Sequence, residues 1–357
     1  MVDYIGTSDI KQLVLAHGAG NFIAMLADEI EDCYQHWADF EKTARVASHS
    51  HSGVIELMPT SNGTQYAFKY VNGHPKNTAA GLLTVTAFGV LADVATGYPL
   101  LLSELTVTTA LRTAAMSALA ARWLARPDSQ VMALIGNGAQ SEFQAIAFHQ
   151  LLGIHTLQLF DVDPAASAKL ARNLRALPGL QDLQIRCCSS TAAAVHGADI
   201  VTTVTADKCK AVILTPEMVQ PGMHLNAVGG DCPGKTELHV DILRRPDARV
   251  VVEFEAQSRI EGEIQQLPAS FGVTEFASVV AGQSAGRQTS AEVTIFDSVG
   301  FALEDFAALR LLHRLITSQP CGTARRIDLL PTLHDPKDLF GELLGASSNS
   351  LPLRRAA

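Results

Sequence analysis

The chain has 357 residues, of which 47% are hydrophobic and 18% charged, so it can bury one or two substantial cores. Its formal net charge of −9 is spread along the sequence without a lysine- or arginine-rich run, which argues against nucleic acid or an anionic membrane as partner. No signal peptide is recognisable, and no uncharged apolar run reaches the roughly 18 residues of a membrane span. A cytoplasmic protein is therefore expected. The six cysteines form no CxxC pair, and no metal site is expected.

The first part of the chain is typical of antiparallel strands. Apolar runs there are separated by Asn-Gly turns at Asn62-Gly63 and Asn72-Gly73. The strands are predicted over residues 53–58, 65–71 and 81–88. An alanine-rich helix over 107–125, ended by Pro127, is predicted to connect this part to the next.

From residue 131 onward, apolar strands alternate with helical segments. The strands are predicted over residues 131–135, 157–160, 183–186, 200–204, 224–228 and 249–254. This alternation predicts an α/β fold with a Rossmann-type doubly wound parallel sheet, beside a second, α+β domain. We expect the α+β domain over 1–126, joined by the segment 315–357, and the Rossmann domain over 127–314.

A glycine turn directly after the first of these strands indicates a dinucleotide site. Gly136 permits the tight turn, and Gly138 lets the backbone approach a pyrophosphate at the start of the next helix. Ser141 replaces the third glycine of the usual motif. Asp161 follows the second strand at the spacing of a ribose ligand, and its charge favours NAD over NADP. The alternative is an ordinary strand, turn and helix without a ligand.

The run at 226–238 places three glycines, an acid and a lysine after another strand, where open α/β sheets bind ligands. Asp231 is a candidate acid or base, and Lys235 a candidate ligand for a phosphate or carboxylate. The alternative is a tight turn with solvated charges. In the first part, Lys69 interrupts an apolar strand, and Phe68 and Tyr70 should face the other side. A buried ammonium needs a partner, so Lys69 is expected to meet a carboxylate of a ligand or of the protein.

Other charged residues of the first part have two interpretations. Glu56 lies inside an apolar strand, as Lys69 does, while Arg45 and Arg112 could grip a carboxylate or phosphate. The alternative for the arginines is an ion pair at the surface or between domains. His49 and His51 have a spacing open to metal binding, but no third ligand is suitably placed.

Five blocks of sequence together carry a resemblance to a known family. They are residues 69–77, 136–141, 226–238, 259–268 and 296–305. With them the chain resembles the ornithine cyclodeaminase/mu-crystallin family over nearly its whole length. The form Gly-Gly-Asp-Cys-Pro-Gly-Lys at 229–235 favours the cyclodeaminase branch over ketimine reductases, an archaeal alanine dehydrogenase and mu-crystallin.

The resemblance implies roles for individual residues. Asp231 becomes the main acid-base residue, with Glu56 near the reacting amines, while Arg45, Lys69 and Val299 bind the substrate. The implied NAD contacts are Thr84, Arg112, Gly136, Gly138, Ala139, Gln140, Asp161, Thr205, Leu225, Asn226, Ala227, Val228, Lys235 and Ser298. The resemblance also implies a homodimer formed through the first domain, which serves for substrate binding and dimerisation.

The reaction implied by the resemblance is the redox-neutral conversion of L-ornithine to L-proline and ammonia with NAD, in arginine and ornithine catabolism. One alternative is an NAD(P)-dependent amino acid dehydrogenase or ketimine reductase of the same family. Another is a non-catalytic binding protein like mu-crystallin. The sequence leaves open ornithine against lysine or diaminobutyrate, because one or two methylenes are worth only about 1 to 3 kcal/mol.

Overall fold

The fold contains a mixed sheet, a parallel sheet and a two-stranded pair, seen in a computed structural model that describes residues 1–206, 210–318 and 325–343. The mixed sheet has the strand order β17-β1-β6-β5-β4-β3-β2. Its strands are β1 Val2–Ile5, β2 Val46–His49, β3 Val54–Ser61, β4 Gln65–Gly73, β5 Val85–Asp93, β6 Pro99–Glu104 and β17 Arg325–Ile327. Strands β2 to β6 pair in an antiparallel ladder, which confirms that the first part of the chain forms antiparallel strands.

The parallel sheet has the order β15-β14-β16-β12-β10-β7-β8-β9, and a short pair, β11 and β13, lies beside it. Its strands are β7 Val131–Ile135, β8 Thr156–Phe160, β9 Gln184–Cys187, β10 Ile200–Thr203, β12 His224–Ala227, β14 Ala248–Val252, β15 Thr274–Glu275 and β16 Val293–Asp297; the pair is β11 Lys210–Leu214 and β13 Thr236–Leu238. The order on either side of β7 is that of a doubly wound Rossmann sheet, as predicted. Strand β16, which inserts between β12 and β14, was not predicted from the sequence.

The helices pack against both sheets. They are α1 Thr7–His17, α2 Ala19–Gln35, α3 Thr106–Leu124, α4 Ser141–Leu152, α5 Pro164–Arg175, α6 Thr191–Val195, α7 Val240–Leu243, α8 Glu255–Glu261, α9 Phe276–Val280, α10 Ala302–Ser318 and α11 Leu339–Leu343. The predicted connecting helix is α3, whose first amides at Thr106 and Val107 are capped by the Glu104 carboxylate. Its buried alanines allow close packing on α2 and α4, and this packing joins the two sheets in one apolar core.

One of the two predicted Asn-Gly turns was wrong. Asn62-Gly63 forms the β3–β4 hairpin turn, with Gly63 at a φ of 81°. Asn72 and Gly73 instead belong to β4, and their pairing with Thr86 and Val85 continues the ladder. The connection to β5 contains a 3-10 helix, Pro75–Ala80, so β5 begins four residues later than predicted. Cross-strand pairing outweighed the local turn preference of the dipeptide.

Helix α10 returns the chain from the parallel sheet to the mixed one. It packs against α2, α3 and the strands β3 to β5. The chain thus returns to the mixed sheet from Ala302 onward, and β17 then extends this sheet. The predicted C-terminal segment lies partly outside the described residues, at 319–324 and 344–357. We propose a division of the chain near residue 126, with α10 as the element shared between the two parts.

No single helix among the described residues is long and apolar enough to cross a membrane. Helices α1 and α2 together have the length and apolar composition of a membrane span, but they are bent by 101° relative to each other. Ile10, Phe22 and Leu26 of these two helices lie in the apolar core.

Candidate active site

Six parallel strands end in register at one edge of the sheet. Phe160 pairs with Ile135 and Ile135 with Thr203, and the same row continues through Ala227, Asp297 and Val252. The residues that follow these strand ends therefore share one edge. They include Asp161, Gly136, Val228 and Ser298, which the sequence analysis had singled out separately.

The glycine turn has the geometry that a dinucleotide requires. Gly136 has a φ of 91°, and a Cβ there would lie 2.8 Å from the carbonyl oxygen of Val204, so only glycine fits without strain. A Cβ at Gly138 would meet no atom within 4 Å, which leaves this side of the turn open to a ligand. The Ser141 hydroxyl, where a third glycine was missing, donates to the Gly138 carbonyl at 2.7 Å and braces the turn.

Asp161 supports the same turn from the neighbouring strand. Its Oδ2 accepts from the Asn137 amide at 2.6 Å and its Oδ1 from the Asp163 amide at 2.8 Å. A cavity of about 410 Å³ opens beside it. The cavity is lined by Phe160, Asp161, Val162, Pro164, Ser167, Cys187, Cys188 and Ser189. Ala139 and Gln140 lead from the turn into α4, whose amino end faces a bound anion in such folds.

Arg45 lies buried between both sheets. Its Nη1 donates to Glu56 at 3.1 Å, and its Nε is 3.0 Å from Glu261. Its Nη2 donates to the carbonyl oxygens of Val299 and Gly300, each at 2.7 Å. In the described part of the chain, Oε1 of Glu56 is buried and accepts no hydrogen bond. A fixed guanidinium thus lies next to an acid with an unused acceptor.

Lys69 faces the interior, as predicted, and is only 1% exposed. Its Nζ donates to Asp305 at 2.8 Å, and Arg112 Nε donates to the same carboxylate at 3.1 Å. Arg112 Nη1 also donates to Glu304 at 2.6 Å. Burial, with the nearby Arg112 charge, lowers the pKa of Lys69 to about 8. Although burial opposes its ionisation, the Arg112 and Lys69 charges lower the pKa of Asp305, which stays a carboxylate.

Asp231 lies in the loop between β12 and β13, and its side chain is 47% exposed. Its Oδ1 is 3.2 Å from Lys235 Nζ, which also donates to the Thr205 carbonyl at 3.0 Å. Burial opposes the charge of Lys235, but Asp231 and Glu237 together raise its pKa. The buried Glu237 accepts from the Thr205 amide and hydroxyl and from Gly229, which fixes both loops. An accessible acid is thereby held beside a lysine whose cationic form is favoured by its acidic neighbours.

The remaining predicted residues differ in accessibility. Three of them, Leu225, Asn226 and Ala227, belong to β12, and their side chains are almost fully buried. A cofactor contact at this strand would therefore involve the backbone that follows β12. The Val228 amide donates to Thr203. Thr84 precedes β5, and its carbonyl accepts from the His74 amide at 2.8 Å.

His49 and His51 line a second cavity, of about 530 Å³, with Lys76 and Cys232. Within residues 1–206, 210–318 and 325–343, no group of three or more His, Cys, Asp or Glu side chains is arranged to hold a metal ion.

Four buried acids in this site were missed by the sequence analysis. They are Glu253, Glu261, Glu304 and Asp305. Glu253 directly follows β14, as Asp161 follows β8, but the strand predicted over 249–254 included Glu253 and so hid this position. Glu304 and Asp305 could not be recognised from the local sequence, because acids are common in the first turn of a helix.

A protein-family model, described as the ornithine cyclodeaminase/mu-crystallin family, matches residues 9–319. The chain belongs to this family. Ornithine cyclodeaminase of Agrobacterium fabrum is 55% identical over 344 residues, which cover 96% of this chain and 95% of that protein. The ornithine cyclodeaminase of Brucella suis has the same identity over 344 residues, covering 96% of this chain and 94% of that protein.

Solved structures of the family have the same fold. A lysine cyclodeaminase, studied for its recognition of L-lysine, L-ornithine and L-2,4-diaminobutyric acid, superposes with a TM-score of 0.85 at 30% identity, covering 95% of this chain and 98% of the other. An archaeal alanine dehydrogenase dimer with bound NAD has a TM-score of 0.81 at 29% identity, covering 92% and 99%. The Rossmann-type assignment is therefore confirmed.

Proposed function

We propose that this protein is an NAD-dependent ornithine cyclodeaminase, which converts L-ornithine to L-proline and ammonia. The observation that carries the proposal is the buried pair of Arg45 and Glu56, in which a guanidinium suited to a carboxylate adjoins an acid oxygen without a hydrogen-bond donor. An α-amino acid presents that combination of carboxylate and amine. The 55% identity to a bacterial ornithine cyclodeaminase supports the same substrate.

The residues at the strand edge fit NAD. Gly138 leaves open space at the turn, and Asp161 borders a cavity large enough for the adenosine half of the cofactor. A carboxylate there repels the extra phosphate of NADP. The NAD-bound alanine dehydrogenase of the family supports this choice. When bound, NAD supplies a reversible hydride acceptor for the α-carbon of the substrate.

The protein's own groups bind the substrate and move its protons. Arg45 and Lys69 hold the α-carboxylate, and Oε1 of Glu56 accepts a hydrogen bond from a substrate amine. Asp231, accessible beside Lys235, accepts a proton from the δ-amine, so that the δ-nitrogen can bond to the α-carbon while the α-amino group leaves as ammonia. The overall conversion releases one ammonia per ornithine and requires no net oxidation.

A chain-length preference for ornithine over lysine or diaminobutyrate is the finest part of the proposal. The related lysine cyclodeaminase recognises all three diamines. Since one methylene contributes only about 1 to 3 kcal/mol, the preference should be a matter of 10- to 200-fold in kcat/KM. Parallel assays of the three substrates measure it directly.

Isotope labelling tests the redox-neutral reaction. Ornithine carrying deuterium at the α-carbon, given with a catalytic amount of NAD, should yield proline that retains the deuterium even when unlabelled NADH is added in excess. Equimolar ammonia should appear without lasting NADH absorbance. Deuterium released into the NADH pool would show a dehydrogenase or ketimine reductase, and an absence of any product would favour a binding protein like mu-crystallin.

We also propose a homodimer formed through the outer face of the mixed sheet. Val46, Leu57, Tyr70 and Phe88 are cross-strand neighbours on that face, and Tyr70 stacks on Phe88 with ring centroids 5.0 Å apart. Several of these side chains are exposed in the single chain, which is unusual for so large an apolar surface. A second copy would bury it, as the dimeric alanine dehydrogenase of the family suggests. A cytoplasmic location stays a prediction.

A further inference from the structure

A single buried carboxyl group holds the segment Ser298–Gly300 in place. Glu253, completely buried after β14, accepts from the Ser298 hydroxyl at 2.8 Å through Oε1. Its Oε2 accepts from the Val299 amide at 3.2 Å and from the Gly300 amide at 2.7 Å. Three of the four hydrogen-bond donors of this segment therefore converge on one side chain, while the Ser298 amide donates to the Ala227 carbonyl at 2.9 Å.

The opposite side of the same segment holds Arg45. The carbonyl oxygens of Val299 and Gly300 both accept from Arg45 Nη2, and Gln257 Nε2 donates to the Gly300 carbonyl at 3.0 Å. Arg45 itself precedes β2 and belongs to no helix or strand. The position of its guanidinium is thus set by the contacts that this group makes, and two of them are with carbonyl oxygens of the segment Ser298–Gly300.

The surroundings of Glu253 favour its neutral, protonated form. It shares a hydrogen bond with Glu304, which already pairs with Arg112. Burial and the neighbouring Glu304 carboxylate raise the pKa of Glu253 well above its usual value. A protonated Glu253 can donate to Glu304 and still accept from the segment, so its hydrogen bonds, rather than a charge, define its role.

We propose that Glu253 is a positioning residue, whose carboxyl group sets the place of the segment Ser298–Gly300 and, through it, the place of the Arg45 guanidinium for the substrate carboxylate. The proposal rests on the proposed function, because Arg45 is taken there as the carboxylate ligand. Glu253 need not touch the substrate for this role.

Two substitutions separate position from charge. Glu253→Gln keeps the length and neutrality of the side chain and offers both an acceptor and a donor, so kcat/KM for ornithine should stay close to that of the unaltered protein. Glu253→Asp keeps the acid but shortens it by one methylene, which withdraws it from the segment. It should lower kcat/KM about 10- to 100-fold, mainly through KM. The opposite ranking, with Gln impaired and Asp normal, would overturn the proposal.

Hydrogen exchange of the Val299 and Gly300 amides gives a readout independent of activity. Exchange should be faster in Glu253→Asp and unchanged in Glu253→Gln. Glu29→Gln is a matched control, since Glu29 is a buried acid that pairs with Arg310 and Arg314 instead, and it should leave both KM and these amides unaltered. Equal exchange in the Asp and Gln variants would contradict the proposal.

These measurements also separate this proposal from the proposed function. If the unaltered protein makes no proline, the proposed function fails, and amide exchange alone decides the role of Glu253. If Glu253→Asp does not fold, Glu253→Gln decides: near-normal KM and protected amides support the proposal, and a KM raised about 10-fold or more overturns it.

Discussion

At the level of single residues, the site is a set of buried charges that compensate one another. Arg45, Lys69 and Arg112 are each paired with at least one carboxylate at 3.1 Å or less. A buried ion without a partner costs several kcal/mol, so these pairs let the protein hold cations in its interior before a substrate arrives. We propose that a substrate carboxylate joins this network, which is already ordered.

Asp231→Asn should separate catalysis from cofactor binding. The amide keeps the size of the side chain but removes the proton acceptor, so turnover should fall about 10²- to 10⁴-fold while NAD affinity is retained. Asp241→Asn is the matched control, because Asp241 is a similarly exposed acid beside Arg244. Turnover by the Asp241→Asn variant should be unchanged. Steady-state kinetics and NAD titration measure both quantities. Near-normal turnover of the Asp231 variant would remove this residue from the mechanism.

The pKa of Lys69 predicts how carboxylate binding depends on pH. With a pKa of about 8, Lys69 is a cation below that pH and neutral above it, while Asp305 stays negative throughout. The affinity for L-proline, the product of the proposed reaction, should therefore weaken as the pH rises through about 8. Lys69→Met lacks the titrating group and should bind proline weakly at every pH. A wild-type affinity that does not change between about pH 7 and 9 would contradict the prediction.

At the level of elements, the turn from β7 to α4 depends on two glycines for different reasons. Gly136 is required by the protein itself, because its φ is positive and Val204 lies against it. Gly138 has neither constraint, so the protein alone does not need a glycine there. We propose that the need for glycine at residue 138 comes from the bound ligand.

Gly138→Ala should therefore affect NAD binding, whereas Gly136→Ala should affect the stability of the protein. Gly138→Ala should leave the free energy of unfolding unchanged or raise it by about 0.4 to 1 kcal/mol, yet weaken NAD binding. Gly136→Ala should lower the free energy of unfolding by about 1 to 2 kcal/mol or more, from the strained φ and the contact with Val204. Urea unfolding and NAD titration of both variants check this. Unaltered NAD binding by Gly138→Ala would place the pyrophosphate elsewhere.

At the level of the whole molecule, the mixed sheet presents an apolar face that a partner chain should cover. Leu57→Lys puts a charge in its centre and should shift the protein from dimer to monomer, as measured by light scattering after size-exclusion chromatography. Leu15→Lys is the control, because Leu15 is exposed on α1 instead of on this face, and it should leave the dimer intact. A Leu57 variant that remains fully dimeric would locate the interface on another surface.

Much of the fold and part of the site follow from the sequence by itself. The hairpin at Asn62-Gly63, the helix α3 and the unit of β7, glycine turn and α4 depend on residues close together in the chain, and periodicity and turn chemistry report on such residues. Asp161 and Asp231 were proposed as site residues in the same way, because each follows a strand or a glycine turn. The inward orientation of Lys69 followed from the alternation of a strand.

Only the tertiary structure decided the partners of these residues. Lys69 and Asp305 are 236 positions apart, and Arg45 meets the carbonyl of Val299 across 254 positions. The insertion of β16 between β12 and β14, and the extension of β4 through Asn72 and Gly73, were likewise set by strand pairing. Local preferences are worth a fraction of a kcal/mol to about 1 kcal/mol per residue, whereas an unpaired buried charge costs several. The chain therefore adopts the arrangement that pairs its buried groups, which local sequence does not record.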